Sequence, residues 1–224
     1  MNYANKPKIV WATFPTVQTN WQDMVMRPLQ KSDVPEFCAA VRESYPHLGL
    51  GRFAFMHQQG YYEQAARPLE GRDGTGVICG YAGDKLVYGL VSELDAATRS
   101  VLIAAVFITP EFRKNPPVVA AIRAAHINME HWYTQSHVEY AFTYCTASHT
   151  VSQAMMEEYG FKVGGIMPGF ALSKLSYGID LPVPSDYYRE NLVYYYRYYN
   201  DGEQLTNKRV RFTAQAQKFW DLQK

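Results

Sequence analysis

A short polar segment, Arg113-Lys114-Asn115, stands between an apolar stretch and a predicted helix that includes Val118. The N-terminus of a helix offers free backbone N–H groups and the positive end of a dipole, and both attract anions. Two cationic side chains beside such a terminus add positive charge. A local basic pocket is therefore possible at the start of the helix.

The spacing of histidines and cysteines argues against several other chemistries. His126 and His131 do not share a helix face and no HExxH sequence occurs, so we expect no metal site. Cys38, Cys79 and Cys145 are far apart and form no CxxC pair, which argues against a disulfide framework or a zinc knuckle. The chain also lacks a G-x-S-x-G elbow and a P-loop lysine, so hydrolase and NTPase functions are not indicated.

The composition is that of a globular protein. Of 224 residues, 47% are hydrophobic and 19% charged, which allows a sizeable core. The 22 basic and 21 acidic residues leave a net charge of +1. This balance does not indicate nucleic-acid binding, which needs a basic surplus. We find no run of ~18 apolar residues and no signal-peptide pattern, so we expect no membrane association and a cytoplasmic location.

Hydrophobic periodicity and turn residues predict an α/β fold with a mixed sheet and helices on both faces. The stretch 99–108 is almost continuously apolar, as in a central strand buried on both faces. Gly160 is expected to end a helix as a C-cap glycine and Ser148 to be the N-cap of that helix. The predicted strands are 8–14, 25–29, 76–82, 85–94, 99–108, 138–145, 161–167 and 191–199, and the predicted helices follow Asp33 and span 53–66, 118–133 and 148–159.

Two segments resemble motifs of the GCN5-related N-acetyltransferases. Residues 106–122, VFITPEFRKNPPVVAAI, are similar to the family's acetyl-CoA-binding motif, an apolar strand followed by x-P-E-[YF]-R, a turn and a helix. Residues 149–169 are similar to its later motif, a helix that runs into Gly-Phe and then a strand. The resemblance covers about residues 24–200. It implies the acyl-CoA N-acyltransferase fold, with a mixed, mostly antiparallel central sheet and helices on both faces.

The resemblance also implies acetyl-CoA, or another acyl-CoA, as co-substrate. Its pantetheine arm would lie in a slot where the strand at 106–108 splays from the next strand, and its pyrophosphate at the following loop. A backbone N–H near Phe107 or Ile108 would stabilise negative charge on the thioester oxygen. The implied cofactor-binding residues are Val106, Phe107, Ile108, Arg113, Lys114, Asn115 and Val118.

The cofactor loop departs from the family pattern. Where the family has glycines, this chain has Pro116, Pro117 and Val118. Glycine lets a backbone approach phosphate closely, whereas proline has no N–H to donate. Both prolines are compatible with the first turn of a helix. The loop is therefore a degenerate version of the motif.

Three side chains are catalytic candidates under the resemblance. Glu93, near a strand end, could deprotonate the acceptor amine; it could also be a solvated carboxylate. His149 could contact ligand or transfer a proton, or it could cap or pack the helix. Tyr159 could protonate the leaving thiolate, although the family's usual tyrosine position holds Met156; the alternative is a packing tyrosine at a helix end.

The implied function is transfer of an acetyl or other acyl group to the amine of a small molecule or peptide. One alternative is a catalytically inactive module that binds a ligand or partner protein, and another takes its acyl group from a carrier protein. The tyrosine-rich stretch 187–199 is either a strand with rings on both faces or an acceptor pocket or homodimer interface. The predicted domains are an N-terminal extension with a short strand (1–23), an N-acetyltransferase-like domain (24–200) and a docked C-terminal amphipathic helix (201–224).

Overall fold

The computed structural model describes residues 6–46, 53–174, 187–206 and 213–221. Short 3-10 turns lie at Lys31–Asp33 and Ala54–His57. The strands are β1 (Val17–Gln18), β2 (Val25–Pro28), β3 (Gly74–Ala82), β4 (Lys85–Asp95), β5 (Ser100–Ile108), β6 (Tyr140–Thr146), β7 (Lys162–Lys174) and β8 (Tyr187–Tyr198). The helices are α1 (Val34–Ser44), α2 (Gln59–Ala65), α3 (Pro116–Gln135), α4 (Thr150–Glu158), α5 (Gly202–Leu205) and α6 (Ala214–Asp221).

All eight strands form one sheet in the order β1-β2-β3-β4-β5-β6-β8-β7. Only β5 and β6 pair in parallel, and every other pair of neighbouring strands is antiparallel. The prediction of a mixed, mostly antiparallel sheet is confirmed. The last strand, β8, lies between β6 and β7 and pairs with both.

Helices cover both faces of the sheet, as predicted. On one face, here called the α1 face, α1 and α2 place Phe37, Val41 and Tyr62 against the apolar side chains of β3 and β4. On the opposite face, here called the α3 face, α3 and α4 place residues such as Met129 and Met156 against the sheet. Each helix buries the apolar stripe that its 3.6-residue period creates.

The strand β5 is only partly buried, contrary to the expectation that both its faces are covered. Its side chains alternate between buried and half-buried along the whole strand. Leu102 and Val106 are two of the half-buried residues, and both line cavities. The apolar residues of this strand therefore line cavities on the half-buried positions and pack into the core on the buried ones.

The predicted strand at 8–14 is wrong, because the short N-terminal strand lies at β1 instead. Trp11 is fully buried and stacks on Trp132 of α3, with ring centroids 4.2 Å apart. The Trp11 N–H donates to the carbonyl of Arg72 at 2.7 Å, and its carbonyl accepts from Gly71 N–H at 3.1 Å. The segment therefore satisfies its backbone groups on a loop, without a strand ladder.

The predicted C-terminal helix is described only in part, since residues 207–212 and 222–224 lie outside the described ranges. The segment 169–186, which as a variable region is expected to help shape the acceptor site, lies outside them from residue 175 onwards. The docking of the helix and the three-part division of the chain stay predictions. None of the helices in the described ranges combines the length and apolar character that a bilayer span requires.

Candidate functional site

A gap opens in the middle of the sheet between β5 and β6. The two strands pair only from Ser100 opposite Tyr140 to Ile103 opposite Thr143. Beyond those four pairs β5 runs on to Ile108 and β6 runs on to Thr146, but the two strands no longer pair with each other. The parallel strands therefore splay where the resemblance implies a slot.

Backbone groups of β5 point into this gap. Thr109 N–H donates to the Val87 carbonyl at 3.0 Å, so Thr109 and Val87 form a bonded antiparallel pair. Bonded and non-bonded pairs alternate along such a ladder. This alternation makes Phe107 a bonded partner of Gly89 on β4 and turns the N–H and C=O of Val106 towards the gap.

The backbone groups of the three predicted cofactor-binding residues on β5, Val106, Phe107 and Ile108, do not all point in the same direction. By the same alternation Ile108 also turns its N–H and C=O away from β4. Phe107 instead has a buried side chain, and its ring lies 5.4 Å from that of Phe37. Of the two amides considered for the thioester oxygen, the Ile108 N–H points towards the gap and the Phe107 N–H points towards β4. The Val106 N–H also points towards the gap.

Two side chains already contact the backbone groups that face the gap. The hydroxyl of Tyr45, at the end of α1, donates to the Val106 carbonyl and accepts from the Val106 N–H at 3.3 Å. Arg113 Nε donates to the Ile108 carbonyl at 2.8 Å. Sequence reasoning missed Tyr45, because no local pattern signals a contact with a residue 61 positions away.

The N-terminus of α3 carries a reduced set of anion-binding donors. Asn115 is the N-cap, and Pro116, Pro117 and Val118 are the first three helical residues. Only Val118 among these three has an N–H, and Val118 is fully buried, so this amide is covered in the structure. Lys114 is exposed beside them and adds positive charge. The exposed part of the loop therefore offers side-chain charge in place of a set of helix amides.

The structure brings Arg113 and His149 together at the mouth of the gap. Burial lowers the pKa of His149, and the positive charge of nearby Arg113 lowers this pKa further. His149 is therefore neutral at pH 7 and can accept or donate one hydrogen bond at each ring nitrogen. The two residues reach the mouth from the loop before α3 and the start of α4.

The predicted N-cap of α4 is wrong by one residue. His149 is the N-cap, with no side-chain cap hydrogen bond. The Ser148 hydroxyl instead donates to the carboxylate of Glu190 at 2.7 Å. Glu190 is buried on β8 and needs hydrogen-bond donors. It therefore accepts a hydrogen bond from the serine hydroxyl that was expected to cap the helix.

Tyr159 lies on the α3 face, where it shares a small cavity of about 30 Å³ with Val106. Its ring stacks on His126 of α3, with the centroids 3.4 Å apart. Burial raises the pKa of Tyr159 to about 12, so the hydroxyl stays protonated near neutral pH. The residue is thus a packing tyrosine, as in the simpler interpretation, and it keeps its proton beside the gap.

The stacked histidine predicts loss of stability in acid. Burial lowers the pKa of His126 to about 4 from 6.5, so the folded state stays neutral while the unfolded chain takes up a proton below pH 6.5. Stability should therefore fall as the pH drops from 6.5 towards 4, by about 2–3 kcal/mol at pH 4.5 for this group. Denaturant unfolding of wild type and His126→Phe, which retains a stacking ring, measures this contribution. Parallel pH profiles for the two proteins would contradict it.

Glu93 lies on the α1 face near the end of β4. Its carboxylate accepts hydrogen bonds from the hydroxyls of Tyr61 and Thr75, the latter at 2.9 Å. It pairs in register with Leu102, whose neighbour Ile103 is the last β5 residue to pair with β6. Glu93 and Leu102 line a cavity of about 780 Å³. Glu93 and Tyr159 therefore approach the gap from opposite faces of the sheet.

No group of three or more His, Cys, Asp or Glu side chains within the described ranges is arranged to bind a metal ion. The three cysteines are buried free thiols.

Solved structures with the same architecture are N-acetyltransferases. A ribosomal-protein-alanine N-acetyltransferase from Brucella melitensis matches with a TM-score of 0.57 at 13% identity, over 77% of this chain and 98% of its own. Mutant forms of the spermidine/spermine N-acetyltransferase from Vibrio cholerae match with a TM-score of 0.55 at 12% identity, over 82% and 99%. A ribosomal L7/L12 alpha-N-protein acetyltransferase in complex with coenzyme A matches with 0.54 at 13%, over 85% and 99%.

This chain has the GCN5-related N-acetyltransferase fold, which is also the acyl-CoA N-acyltransferase fold implied by its motifs. At identities of 12–13% the likeness establishes the fold alone. No protein-family model and no curated protein sequence matches the chain.

Proposed function

We propose that this protein transfers an acyl group, with acetyl the first candidate, from an acyl-CoA to an amine. The observation that carries the proposal is the gap between β5 and β6, into which Val106 turns its N–H and C=O. A free strand edge in the middle of a sheet presents backbone donors and acceptors to a ligand that contains amides. A protein of the same fold contains coenzyme A.

The residues around the gap fit an acyl-CoA. The carbonyl oxygens of Val106 and Ile108 would accept hydrogen bonds from the amides of the pantetheine arm, once Tyr45 has released Val106 and Arg113 has released Ile108. The charges of Arg113 and Lys114, both exposed, would bind the pyrophosphate. The Val118 N–H, which is buried in the structure, would join them only after the loop moves. Asn115 and His149 would border the same mouth. The bound molecule would supply an activated thioester.

Acid and base groups on opposite faces of the sheet suit this reaction. Glu93 would take a proton from the ammonium form of the acceptor, which frees the nitrogen lone pair to attack the thioester carbon. A C–N bond forms, the C–S bond breaks, and the sulfur takes a proton from Tyr159. The nitrogen then loses its second proton, which replaces the one that Tyr159 has given up, so that the product is a neutral amide. Val106 or Ile108 N–H would stabilise the negative charge that develops on the carbonyl oxygen.

Binding of acetyl-CoA should raise the thermal stability of the protein. At a free concentration about 100 times the dissociation constant, binding adds ~2.7 kcal/mol, which is roughly 5–10 °C for a domain of this size. Thermal unfolding with and without acetyl-CoA measures the shift. No shift at millimolar ligand would remove the proposal and favour a ligand-binding or partner-binding module without acyl-transfer activity.

The same measurement on Tyr45→Phe locates the bound ligand. Phenylalanine retains the ring but frees the Val106 N–H and C=O, and the lost competition should tighten acetyl-CoA binding about 2- to 10-fold. Tyr81→Phe is the matched control, because its hydroxyl bonds Glu36, a residue of α1, at 3.1 Å. Weaker binding by Tyr45→Phe, or equal tightening in both variants, would mean that ligand does not replace Tyr45 at Val106.

A further inference from the structure

The α1 face of β6 and β8 is covered by aromatic rings. Six rings alternate along the two strands and are all half-buried, and we call them the aromatic floor: Tyr140, Phe142, Tyr144, Tyr194, Tyr196 and Tyr198. Neither α1 nor α2 packs on this part of the sheet. Half-buried rings over two adjacent strands form an apolar surface of the kind that marks a binding site.

The rings contact one another at mixed angles, near-parallel in some pairs and edge-on in others, such as Phe142 and Tyr144 at 81°. Tyr140 lies 5.9 Å from Tyr196 with 22° between the planes, and Tyr194 lies 6.4 Å from Tyr196 at 23°. The hydroxyls of Tyr140 and Tyr194 hydrogen-bond to each other. Rings held in this way lose little conformational entropy when a flat ligand stacks on them.

The aromatic floor forms one side of the cavity of about 780 Å³ that Glu93 lines. Four of its rings contact the cavity: Tyr140, Phe142, Tyr194 and Tyr198. The volume lies in the range of small-molecule sites. Phe142 pairs in register with Leu102, one residue before the pairing of β5 and β6 ends. The cavity therefore adjoins the closed end of the gap.

The described part of the cavity wall carries negative charge. Three carboxylates line it, and no Lys, Arg or His is among its described lining residues. Glu139 is neutralised by Arg99 and by Lys6, the latter at 2.6 Å. Glu93 and Asp95 form no ion pair with any described residue, and their partners are hydroxyls and the amides of the turn after β4.

We infer that the acceptor is a protonated primary amine carried on an aromatic ring, with the ring stacked on the aromatic floor and the ammonium group beside Glu93 and Asp95. The inference rests on the proposed acyl transfer and specifies its acceptor. The amine comes from a free arylalkylamine or from the N-terminal aromatic residue of a peptide.

Direct binding separates this inference from the acyl-transfer proposal. Isothermal titration without acyl donor compares 2-phenylethylamine with 2-cyclohexylethylamine, which differ only in ring aromaticity. We expect about 3- to 10-fold tighter binding of the aromatic amine. The uncharged 2-phenylethanol should bind about 10- to 100-fold more weakly than the amine, since it lacks the charge-assisted contact. A second arm, comparing tripeptides that begin with Phe and with Leu, distinguishes the two sources.

Variants place the ring on the floor. Phe142→Leu should abolish the preference for the aromatic amine, whereas Tyr196→Leu, on the same face but outside the cavity lining, should retain it. Thermal unfolding of both variants checks that they fold. If the aromatic amine binds more tightly but no acyl group is transferred, the proposed function is wrong. The protein would then still bind the inferred class of ligand, an aromatic primary amine. Acyl transfer or binding with no aromatic preference in either arm, or a dimer that buries the floor, would overturn the inference.

Discussion

Replacing Glu93 with glutamine should lower kcat/KM for amine acylation by a factor of about 10²–10⁴. The amide cannot accept the proton that must leave the acceptor before it attacks. Glutamine has nearly the same shape and can still accept hydrogen bonds from Tyr61 and Thr75, so folding should be preserved. The rate of thiol release from acetyl-CoA, measured against a saturating amine, reports the loss.

A control separates catalysis from general charge. Glu111→Gln removes an exposed carboxylate that pairs only with Lys85 at the surface, and it should leave kcat/KM unchanged. For Glu93→Gln the dissociation constant of acetyl-CoA should also stay the same, because the carboxylate faces the acceptor side. A change of less than threefold in kcat/KM would show that Glu93 is not the base. Loss of acetyl-CoA binding together with activity would assign it a structural role.

Trp11→Ala should cost about 3–5 kcal/mol of folding free energy, or roughly 6–20 °C in melting temperature. The side chain is fully buried between β3 and α3, it stacks on Trp132, and its Nε1–H donates to the Gly74 carbonyl at 2.9 Å. Alanine would leave a cavity under the sheet and an unpaired carbonyl. Chemical denaturation followed by circular dichroism gives the free energy.

Trp21→Ala is the matched comparison. Trp21 is half-buried and contacts Phe112 edge-on, so its truncation should cost less than half as much. Equal losses for the two variants would contradict the assignment of Trp11 to the core. If Trp11→Ala lowered the free energy of unfolding by less than about 1 kcal/mol, residues 8–14 would not belong to the core. They would then be a peripheral part of the predicted N-terminal extension (1–23).

The fold was largely predictable because its elements carry local signals. Gly160 adopts a φ of +74° after α4, the left-handed conformation that a C-cap glycine permits. The helix at 118–133 and the strands between 74 and 108 appear within a few residues of their predicted limits. The segment 8–14 failed because alternating apolar residues show only that side chains are buried. Whether a strand forms depends on a partner edge, which Trp11 does not have.

The site divides in the same way. Arg113 and His149 were candidates because of their register in two motifs, and the structure does bring them together. Tyr45 carries no such signal, and its contact with Val106 depends on how α1 packs across the sheet. The tyrosines of β8 confirm the interpretation of a strand with rings on both faces, since Tyr195 and Tyr199 are buried on the α3 face while Tyr194 belongs to the aromatic floor. The acceptor pocket or homodimer interface stays a prediction. A single strand serves core and cavity because successive side chains point to opposite faces.

The position of β8 between β6 and β7 sets an order of assembly. Within the described residues β7 pairs with no strand other than β8, although β7 precedes β8 in the chain. During synthesis β2 to β5 can form a meander from neighbouring segments, whereas β6 and β7 expose unpaired edges until the last strand emerges. Such edges are prone to pair with other chains. The half of the sheet that contains the aromatic floor is therefore completed last.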